Sequence, residues 1–331
     1  MGCIASTRYV LALDQGGSKC EGLLVREDGT VRRAGRAQQP GLSGRSLEAI
    51  VATIRQLLPA RPTGRLHLAL LGCTDETRTT LTRQTGAAQI HLMDELDSSL
   101  ALQGANCGIV VVAGTGARVS ARTRGGRFLT LDGLGPVLGD VGSGYQIGRL
   151  ALRAAARAAW HPRHRTGLRD RIFDACGKLS PARPIPGQRL HGLIHFSLCP
   201  HDRSVIASLA RLVNAKAEAG DRVAIDILYE AADGIAETVH DVVDRLRIRG
   251  DSYLLIGTGS VAMHSDIYWR RLCRQVKKFA PKLSPRRSPY PPVVGVALCT
   301  LLRLNGSDPA GVRRRLFDSF ENYQRTHEHS E

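Results

Sequence analysis

The sequence lacks the long apolar runs and the cysteine pairs that mark membrane proteins and disulfide-rich proteins. No stretch of about 18 uncharged apolar residues occurs, which excludes a transmembrane helix. The chain opens without the charged segment and apolar core of a secretory signal. Its eight cysteines stand apart and form no Cys-x-x-Cys pair, which argues against a zinc site or a disulfide framework. We therefore expect a cytoplasmic protein with no membrane partner.

Acidic and aromatic residues are also scarce. Asp and Glu together number 30 against 46 Lys and Arg, which gives a formal net charge of +16. Such a charge can attract nucleic acid. Aromatic side chains, on which single-stranded bases stack, make up only 5% of the residues, however, and the arginines are spread along the chain. The composition therefore favours a small anionic ligand and no nucleic acid.

Glycine is abundant, and one glycine-rich segment dominates the chain. Residues 131–148 contain six glycines and run into an alanine-rich helix predicted over 150–160. Dense glycine marks backbone that must approach another group closely. Asp140 lies in the middle of this segment. A carboxylate among small residues just before a helix suits a polar ligand or a metal ion held against main-chain amides, whereas the alternative is a surface loop.

A strand, a glycine turn and a second strand occur twice, at 9–25 and at 108–123. In the first copy Asp14 ends the strand, and Gly16, Gly17, Ser18 and Lys19 form the turn. Main-chain amides there can face phosphate oxygens while the carboxylate faces a cation. Gly114, Thr115 and Gly116 form the second turn. A third turn, with Gly257, Gly259 and Ser260, follows a strand predicted at 253–256.

Three carboxylates follow another predicted strand, over 90–93: Asp94, Glu95 and Asp97. They are candidate site residues. They also suit the acidic first turn of a helix predicted from Ser98, where the helix dipole favours negative charge. The two interpretations are compatible.

The remaining pattern predicts mostly helices. Helical periodicity or composition marks 47–58, 77–85, 204–219, 223–246, 269–279 and 293–304, and 66–71 reads as a buried strand. A Pro-rich connection is predicted over 282–292, and the last dozen residues are predicted to fray. A chain of 331 residues exceeds what one core usually supports, so we expect two domains.

Together these motifs resemble the N-acetylglucosamine kinase and BadF/BadG/BcrA/BcrD-type ATPase family of the actin-like sugar-kinase superfamily. The resemblance rests on Asp14-x-Gly-Gly-Ser-Lys19, Ala113-Gly-Thr-Gly116, Gly133-x-Gly-Pro-x-Leu-Gly-Asp140-x-Gly-Ser-Gly-Tyr-x-Ile-Gly148 and Gly257-x-Gly-Ser260. It covers nearly the whole chain. It implies an α/β protein with two ribonuclease-H-like domains and a nucleotide cleft between them.

The resemblance also implies roles for the motif residues. Asp14 would hold Mg²⁺ through water, and Gly16, Gly17, Ser18 and Lys19 would surround the phosphates of ATP. Gly114, Thr115 and Gly116 would form the second phosphate loop, and Gly257, Gly259 and Ser260 would lie by the adenosine. Gly133, Asp140 and Asp97 would line the sugar site.

Three departures from the family pattern affect the acceptor side. The family has Asn-Asp or Thr-Asp at the start of a helix, with Asp as the base. Alignment without gaps puts that base on Glu95, and a shift by one residue puts it on Asp94. The sugar-contacting Asn of the first domain is missing. The family's Gly-Asp-Glu-Gly is Gly139-Asp-Val-Gly here, and the Trp before it is Leu134.

We predict a first domain over 1–103, which a C-terminal helix at 305–325 would join, and a second over 104–304. The function predicted is ATP- and Mg²⁺-dependent phosphorylation of a small-molecule sugar, by a homodimer. The alternative is a nucleotide-binding homologue with weak or lost kinase activity, acting as a sensor or paired subunit. An iron–sulfur activator ATPase is disfavoured because no cysteine lies in a suitable glycine-flanked setting.

Overall fold

The fold comes from a computed structural model, which describes residues 7–16, 19–38, 47–58, 64–71, 75–87, 89–179, 189–199, 201–304 and 308–327. The strands are β1 Arg8–Gln15, β2 Lys19–Arg26, β3 Val31–Gln38, β4 Arg65–Leu71, β5 Gln89–Met93, β6 Gly108–Ala113, β7 Ala117–Arg122, β8 Phe128–Asp132, β9 Leu254–Thr258 and β10 Ser284–Arg287. The α-helices are α1 Leu47–Leu57, α2 Asp75–Thr85, α3 Glu95–Leu102, α4 Gly144–Trp160, α5 Leu168–Leu179, α6 Arg189–Leu198, α7 Arg203–Ser208, α8 Ala210–Glu218, α9 Arg222–Leu246, α10 Ser260–His264, α11 Asp266–Phe279, α12 Pro292–Leu304 and α13 Pro309–His327.

The chain divides into two compact units. Among the described residues, the first unit takes those up to Asn106 and those from Pro289 onward, and the second takes Cys107–Ser288. Each unit contains one five-stranded sheet.

The first unit's sheet has the order β3-β2-β1-β4-β5. β1, β2 and β3 are antiparallel neighbours, whereas β4 and β5 run parallel to β1. Alternate side chains of β1 face opposite sides, as the strand period requires. Val10 and Ala12 pack in a cluster with α12 and α13, and Leu11 and Leu13 pack in another with α1.

The second unit's sheet repeats that arrangement. Its order is β10-β9-β6-β7-β8, with β6, β7 and β8 antiparallel and with β9 and β10 parallel to β6. β6 therefore corresponds to β1. The predicted repeat of strand, glycine turn and strand is confirmed as two hairpins with the same place in two equivalent sheets. The long helix α9 packs in the core of this unit with α4, α8 and α11.

The predicted end of the second domain at residue 304 is wrong. Helix α12 packs on α3 and β1 of the first unit, and its Val294, Val296 and Leu298 are fully buried there. The chain therefore returns to the first unit at Pro289. Helix α13 also lies in the first unit. The prediction of a frayed end fails for 320–327, because Phe320 is buried in the cluster that contains α12.

Three element predictions also need correction. Helix α4 begins at Gly144 rather than near Leu150, because Ser143 caps it and overrides the glycine content. The helix predicted over 204–219 is interrupted at Leu209, whose N–H donates to Ile206 in place of the usual partner four residues back. The predicted connection over 282–292 contains β10, an edge strand where Pro285 is tolerated.

In the parts of the chain described here, no helix combines the length and the apolarity needed to cross a bilayer.

Two histidines of the first unit lie together on adjacent strands. His67 Nδ1 on β4 lies 3.3 Å from His91 Nε2 on β5, and His67 is buried. Burial, the neighbouring His91 and nearby arginines lower the pKa of His67. Burial and the charge of Arg303 lower the pKa of His91.

These lowered pKa values predict acid sensitivity of the first unit. Below a pH of about 6.5, the unfolded chain binds protons at both rings that the folded sheet does not accept, so stability falls as pH falls. We expect the protection of peptides covering β4 and β5 against hydrogen–deuterium exchange to fall between pH 7 and pH 5.5, after the measured rates are divided by the intrinsic rate at each pH. His67→Leu should flatten this dependence, whereas His191→Gln, on the exposed side of α6, should leave it unchanged. An unchanged profile in His67→Leu would contradict the assignment.

Candidate functional site

The three glycine segments of the second unit come together. The N–H of Gly144, at the start of α4, donates to the carbonyl of Gly114 at 2.7 Å, and the N–H of Tyr145 donates to Thr115 at 3.3 Å. The turn after β9 approaches the same strand end, since a Cβ built on Gly259 would lie 2.5 Å from the Ala113 carbonyl oxygen. Main chain therefore meets main chain around Gly114.

Gly259 is required at this junction for two reasons. Its φ is +86°, a conformation that favours glycine, and the Ala113 main chain leaves no room for a side chain. Ser260 then begins α10. The residues predicted to contact a nucleotide in this unit are thus adjacent in the fold.

The N-terminus of α4 is held by an extended cap. The Ser143 hydroxyl accepts the N–H of Gln146 at 3.1 Å, and the Gln146 amide oxygen accepts the N–H of Gly142 at 2.6 Å. The buried Tyr268 hydroxyl donates to the Gly142 carbonyl at 2.9 Å, and burial raises the pKa of this phenol. The cap holds the positive end of the dipole of a 17-residue helix at the Gly114 turn, and the first N–H groups of α4 are already bonded to Gly114, Thr115 and Ser143.

Asp140 lies beside that turn. It is 4% exposed and has a φ of +57°. Its Oδ1 accepts the N–H of Ala117 at 3.1 Å, and its Oδ2 pairs with the guanidinium of Arg203, the first residue of α7. A Cβ on Gly116 would lie 2.8 Å from Oδ1, so glycine is needed for the carboxylate to approach.

Asp132, which the sequence analysis missed, holds the Asp140 segment in place. Its carboxylate accepts the N–H groups of Gly133 at 2.7 Å, Asp140 at 2.6 Å and Val141 at 2.9 Å. Asp132 has a φ of +66°, and the pair Asp132-Gly133 was the available signal, because Asp often bonds to main chain in turns. Arg203 had no such signal, since 63 residues separate it from Asp140.

The loop closed by Asp132 has an apolar tip. Leu134, Val137 and Leu138 are 66%, 91% and 79% exposed. Gly133, predicted to line the sugar site, begins this loop with a φ of +77°.

In the first unit, the predicted carboxylates lie at one edge of the sheet. Asp14 pairs in register with Leu71, and Leu71 pairs with Met93, the residue before Asp94. Since the three parallel strands end together, Asp14 and the start of α3 are two strands apart, or about 10 Å. The structure thus groups Asp14 with the carboxylates that follow β5.

The glycine turn that follows β1 is described only in part. Gly16 donates to the Lys19 carbonyl at 3.0 Å, and the Lys19 ammonium lies 2.6 Å from a Glu21 carboxylate oxygen. Gly17 and Ser18, predicted to contact phosphates, lie outside the described residues.

The start of α3 distinguishes the three carboxylates that follow β5. Asp94 is the exposed N-cap, and its Oδ1 accepts the N–H of Leu96 at 2.6 Å. Glu95 is the half-buried first helical residue. Asp97 lies half-buried in the same turn, and its carbonyl accepts the Cys299 thiol at 3.5 Å. The helix thus begins three residues before the predicted Ser98.

Comparison of the sequence with known families and proteins finds one family and two curated relatives. The model of the BadF/BadG/BcrA/BcrD ATPase family matches residues 11–300. The N-acetylmuramic acid/N-acetylglucosamine kinase of Clostridium acetobutylicum is 27% identical over 270 residues, which cover 77% of this chain and 85% of that kinase. The N-acetyl-D-glucosamine kinase of Dictyostelium discoideum is 28% identical over 202 residues, which cover 60% of each protein.

Solved structures share the fold. A candidate N-acetylglucosamine kinase from Chromobacterium violaceum superposes with a TM-score of 0.65 at 20% identity, over 89% of this chain and 99% of that one. A ROK family glucokinase from Streptomyces griseus, solved with glucose and AMPPNP, gives 0.58 at 14% identity, over 87% and 98%.

The close packing at Gly259 predicts that adding one methyl group there lowers the stability of the second unit. Gly259→Ala should destabilise the second unit by about 1–3 kcal/mol more than Gly220→Ala, because overpacking adds to backbone strain. Gly220 is the matched control, since it has the same φ of +86° and no atom within 4 Å of an added Cβ. Both tryptophans, Trp160 and Trp269, belong to this unit, so denaturation followed by tryptophan fluorescence gives the measurement. Equal losses in the two variants would refute the tight junction.

Proposed function

Because this chain belongs to the BadF/BadG/BcrA/BcrD ATPase family, we propose that it is an ATP-dependent kinase that phosphorylates a hydroxyl of a sugar. The acceptor class is an amino sugar such as N-acetylglucosamine or glucosamine, as in the names of the two curated relatives. The observation that carries the proposal is the convergence of three glycine segments and one buried carboxylate in the second unit.

The nucleotide contacts are assigned to glycine turns. Gly114, Thr115 and Gly116 form a phosphate loop beside the N-terminus of α4, where the helix dipole favours anions. Gly257, Gly259 and Ser260 take the adenosine side. The packing of Gly259 against Ala113 supports this assignment, because it brings the turn after β9 to the end of β6.

Gly16, Gly17, Ser18 and Lys19 form the phosphate turn of the first unit, and Asp14 holds Mg²⁺. In the described part of the chain, no three His, Cys, Asp or Glu side chains are grouped to hold a metal. One half-buried carboxylate at a strand end still fits Mg²⁺, which keeps several waters and takes its other ligands from substrate phosphates. When bound, Mg²⁺ neutralises charge on the transferring phosphoryl group.

Glu95 is the residue we assign as the general base. In the family pattern the base follows Asn or Thr, both N-cap residues. Asp94 is the N-cap of α3 and therefore takes the place of that Asn or Thr. Glu95 then takes the place of the family's aspartate, at the sheet edge that also holds Asp14.

For the reaction we infer the following transfer. The acceptor oxygen bonds to the γ-phosphorus as the bond to the β–γ bridging oxygen breaks, and ADP leaves. The hydroxyl proton passes to the Glu95 carboxylate. Asp97, Gly133 and Asp140 line the acceptor. We also infer that both units are ribonuclease-H-like, which the identical strand orders support. The homodimer and the cytoplasmic location stay predictions.

One observation favours a second candidate, a nucleotide-binding homologue without kinase activity. Asp140, expected to bind the acceptor, is buried and already bonded to Arg203. Such a homologue would bind ATP without sugar-dependent turnover.

Sugar-dependent ADP release separates the two candidates. With Mg-ATP and a panel of glucosamine, N-acetylglucosamine, N-acetylmuramic acid and glucose, we expect at least one amino sugar to stimulate ADP release. Glucose serves as the comparison lacking nitrogen. ATP binding with no stimulation by any sugar would favour the sensor or paired subunit.

The two carboxylates at α3 should differ in their effects. Glu95→Gln should lower kcat by about 10²- to 10⁴-fold, the usual contribution of a general base. Asp94→Asn should retain most activity, because Asn caps helices as well as Asp. The kcat of Glu95→Asp should be higher than that of Glu95→Gln, since Glu95→Asp keeps a carboxylate. The reverse ranking of Asp94→Asn and Glu95→Gln would make Asp94 the base.

A further inference from the structure

The Asp140 carboxylate is almost fully buried and pairs with the partly exposed side chain of Arg203. The Asp140 side chain is 5% exposed, and the Arg203 side chain that pairs with it is 41% exposed. The other carboxylate oxygen accepts the N–H of Ala117 at 3.1 Å. Asp140 is therefore the buried partner of the pair, and the Arg203 guanidinium is the more exposed one.

The N-cap of α7 and the packing of α7 on α4 hold Arg203 next to Asp140. Arg203 is the first residue of α7, whose N-cap Asp202 accepts the N–H of Ser204 at 2.8 Å. α7 lies directly against α4, because a Cβ on Gly148 would collide with the main chain at Ile206. The small residues of the glycine-rich segment thus bring the start of α7 next to Asp140.

Arg203 still has hydrogen-bonding capacity. A guanidinium has five N–H donors in a planar fork, and one terminal nitrogen of Arg203 is directed at Asp140. Within the described part of the chain, its Nε is buried and has no hydrogen-bond partner. Because the side chain as a whole is 41% exposed, the donors that a ligand could reach are those of the terminal nitrogens.

The charge of the pair limits the ligand chemistry. A guanidinium compensated by a buried carboxylate has no need of an anionic ligand, and its N–H groups suit neutral oxygens. The hydroxyls of a sugar and the carbonyl of an N-acyl group are such oxygens.

We propose that Arg203 contacts the acceptor sugar directly, donating to a hydroxyl or N-acyl oxygen, and that Asp140 is the positioning residue that holds Arg203. This inference rests on the proposed kinase function and changes the role of Asp140 from a direct ligand to a support. It also explains why Asp140, predicted to line the sugar site, is buried and paired with Arg203.

The test compares Arg203→Met, Asp140→Asn and the double variant by the KM for N-acetylglucosamine, the KM for ATP and the unfolding midpoint. Arg203→Met should raise the sugar KM about 10- to 100-fold, the range expected for one hydrogen bond from a charged group. Asp140→Asn should raise it less, because its amide oxygen can still accept from Arg203. In Arg203→Met, which leaves the hydrogen bond from Ala117 to Asp140 in place, the KM for ATP should stay within about twofold.

The double variant separates recognition from stability. Arg203→Met alone leaves a buried charge uncompensated and should lower the unfolding midpoint, whereas the double variant removes both charges and should restore it. Its sugar KM should remain as high as that of Arg203→Met. The matched control is Arg222→Met with Asp226→Asn, since Arg222 also begins a helix after an N-cap Asp and pairs with an aspartate.

Three results would overturn the inference in an active wild-type enzyme: an unchanged sugar KM in Arg203→Met, a larger effect of Asp140→Asn, or a normal sugar KM in the double variant. A wild-type protein with no sugar-dependent ADP release would instead remove the proposed function, and this inference with it.

Discussion

The second unit depends on the close approach of main chain to main chain around Gly114. The turn after β6 receives a hydrogen bond from the first residue of α4 and lies against the turn after β9 at Gly259. A side chain at Gly259 would separate the segments, because an added Cβ there would lie 2.5 Å from the Ala113 carbonyl oxygen, whereas one on Gly114 would come no closer than 3.9 Å to another segment. The result is a glycine turn beside one helix N-terminus at a strand end, where the helix dipole favours an anion.

The first unit meets a different constraint, the register of parallel strands. β1, β4 and β5 end at the same edge of the sheet. Asp14, near the end of β1, and the carboxylates that follow β5 therefore share that edge although they are far apart in the sequence. The same strand order recurs in the second unit with glycine turns at the equivalent edge. In the function we propose, the duplicated sheet carries two different chemical roles, metal and proton handling in one copy and anion binding in the other.

The sequence predicts the parts of this design that depend on local patterns. The two hairpins, their glycine turns and most helices follow from alternation, glycine clusters and apolar periodicity. It does not predict contacts between distant segments. Arg203 sits in an ordinary helical stretch, and only the packing of α7 on α4 brings it to Asp140. β10 was missed because Ser-Pro-Arg-Arg has no strand pattern, and α12 was assigned to the wrong unit because its apolar residues fit either core.

The central claim is that these groups serve phosphate transfer to a sugar, and detection of the product tests it most directly. The protein would be incubated with Mg-ATP and N-acetylglucosamine or glucosamine, and the sugars would be analysed by mass spectrometry. The account predicts a sugar monophosphate with the wild-type protein and a large loss of it with Glu95→Gln. ADP formation without any phosphorylated sugar would contradict it and would leave an ATPase or a nucleotide sensor.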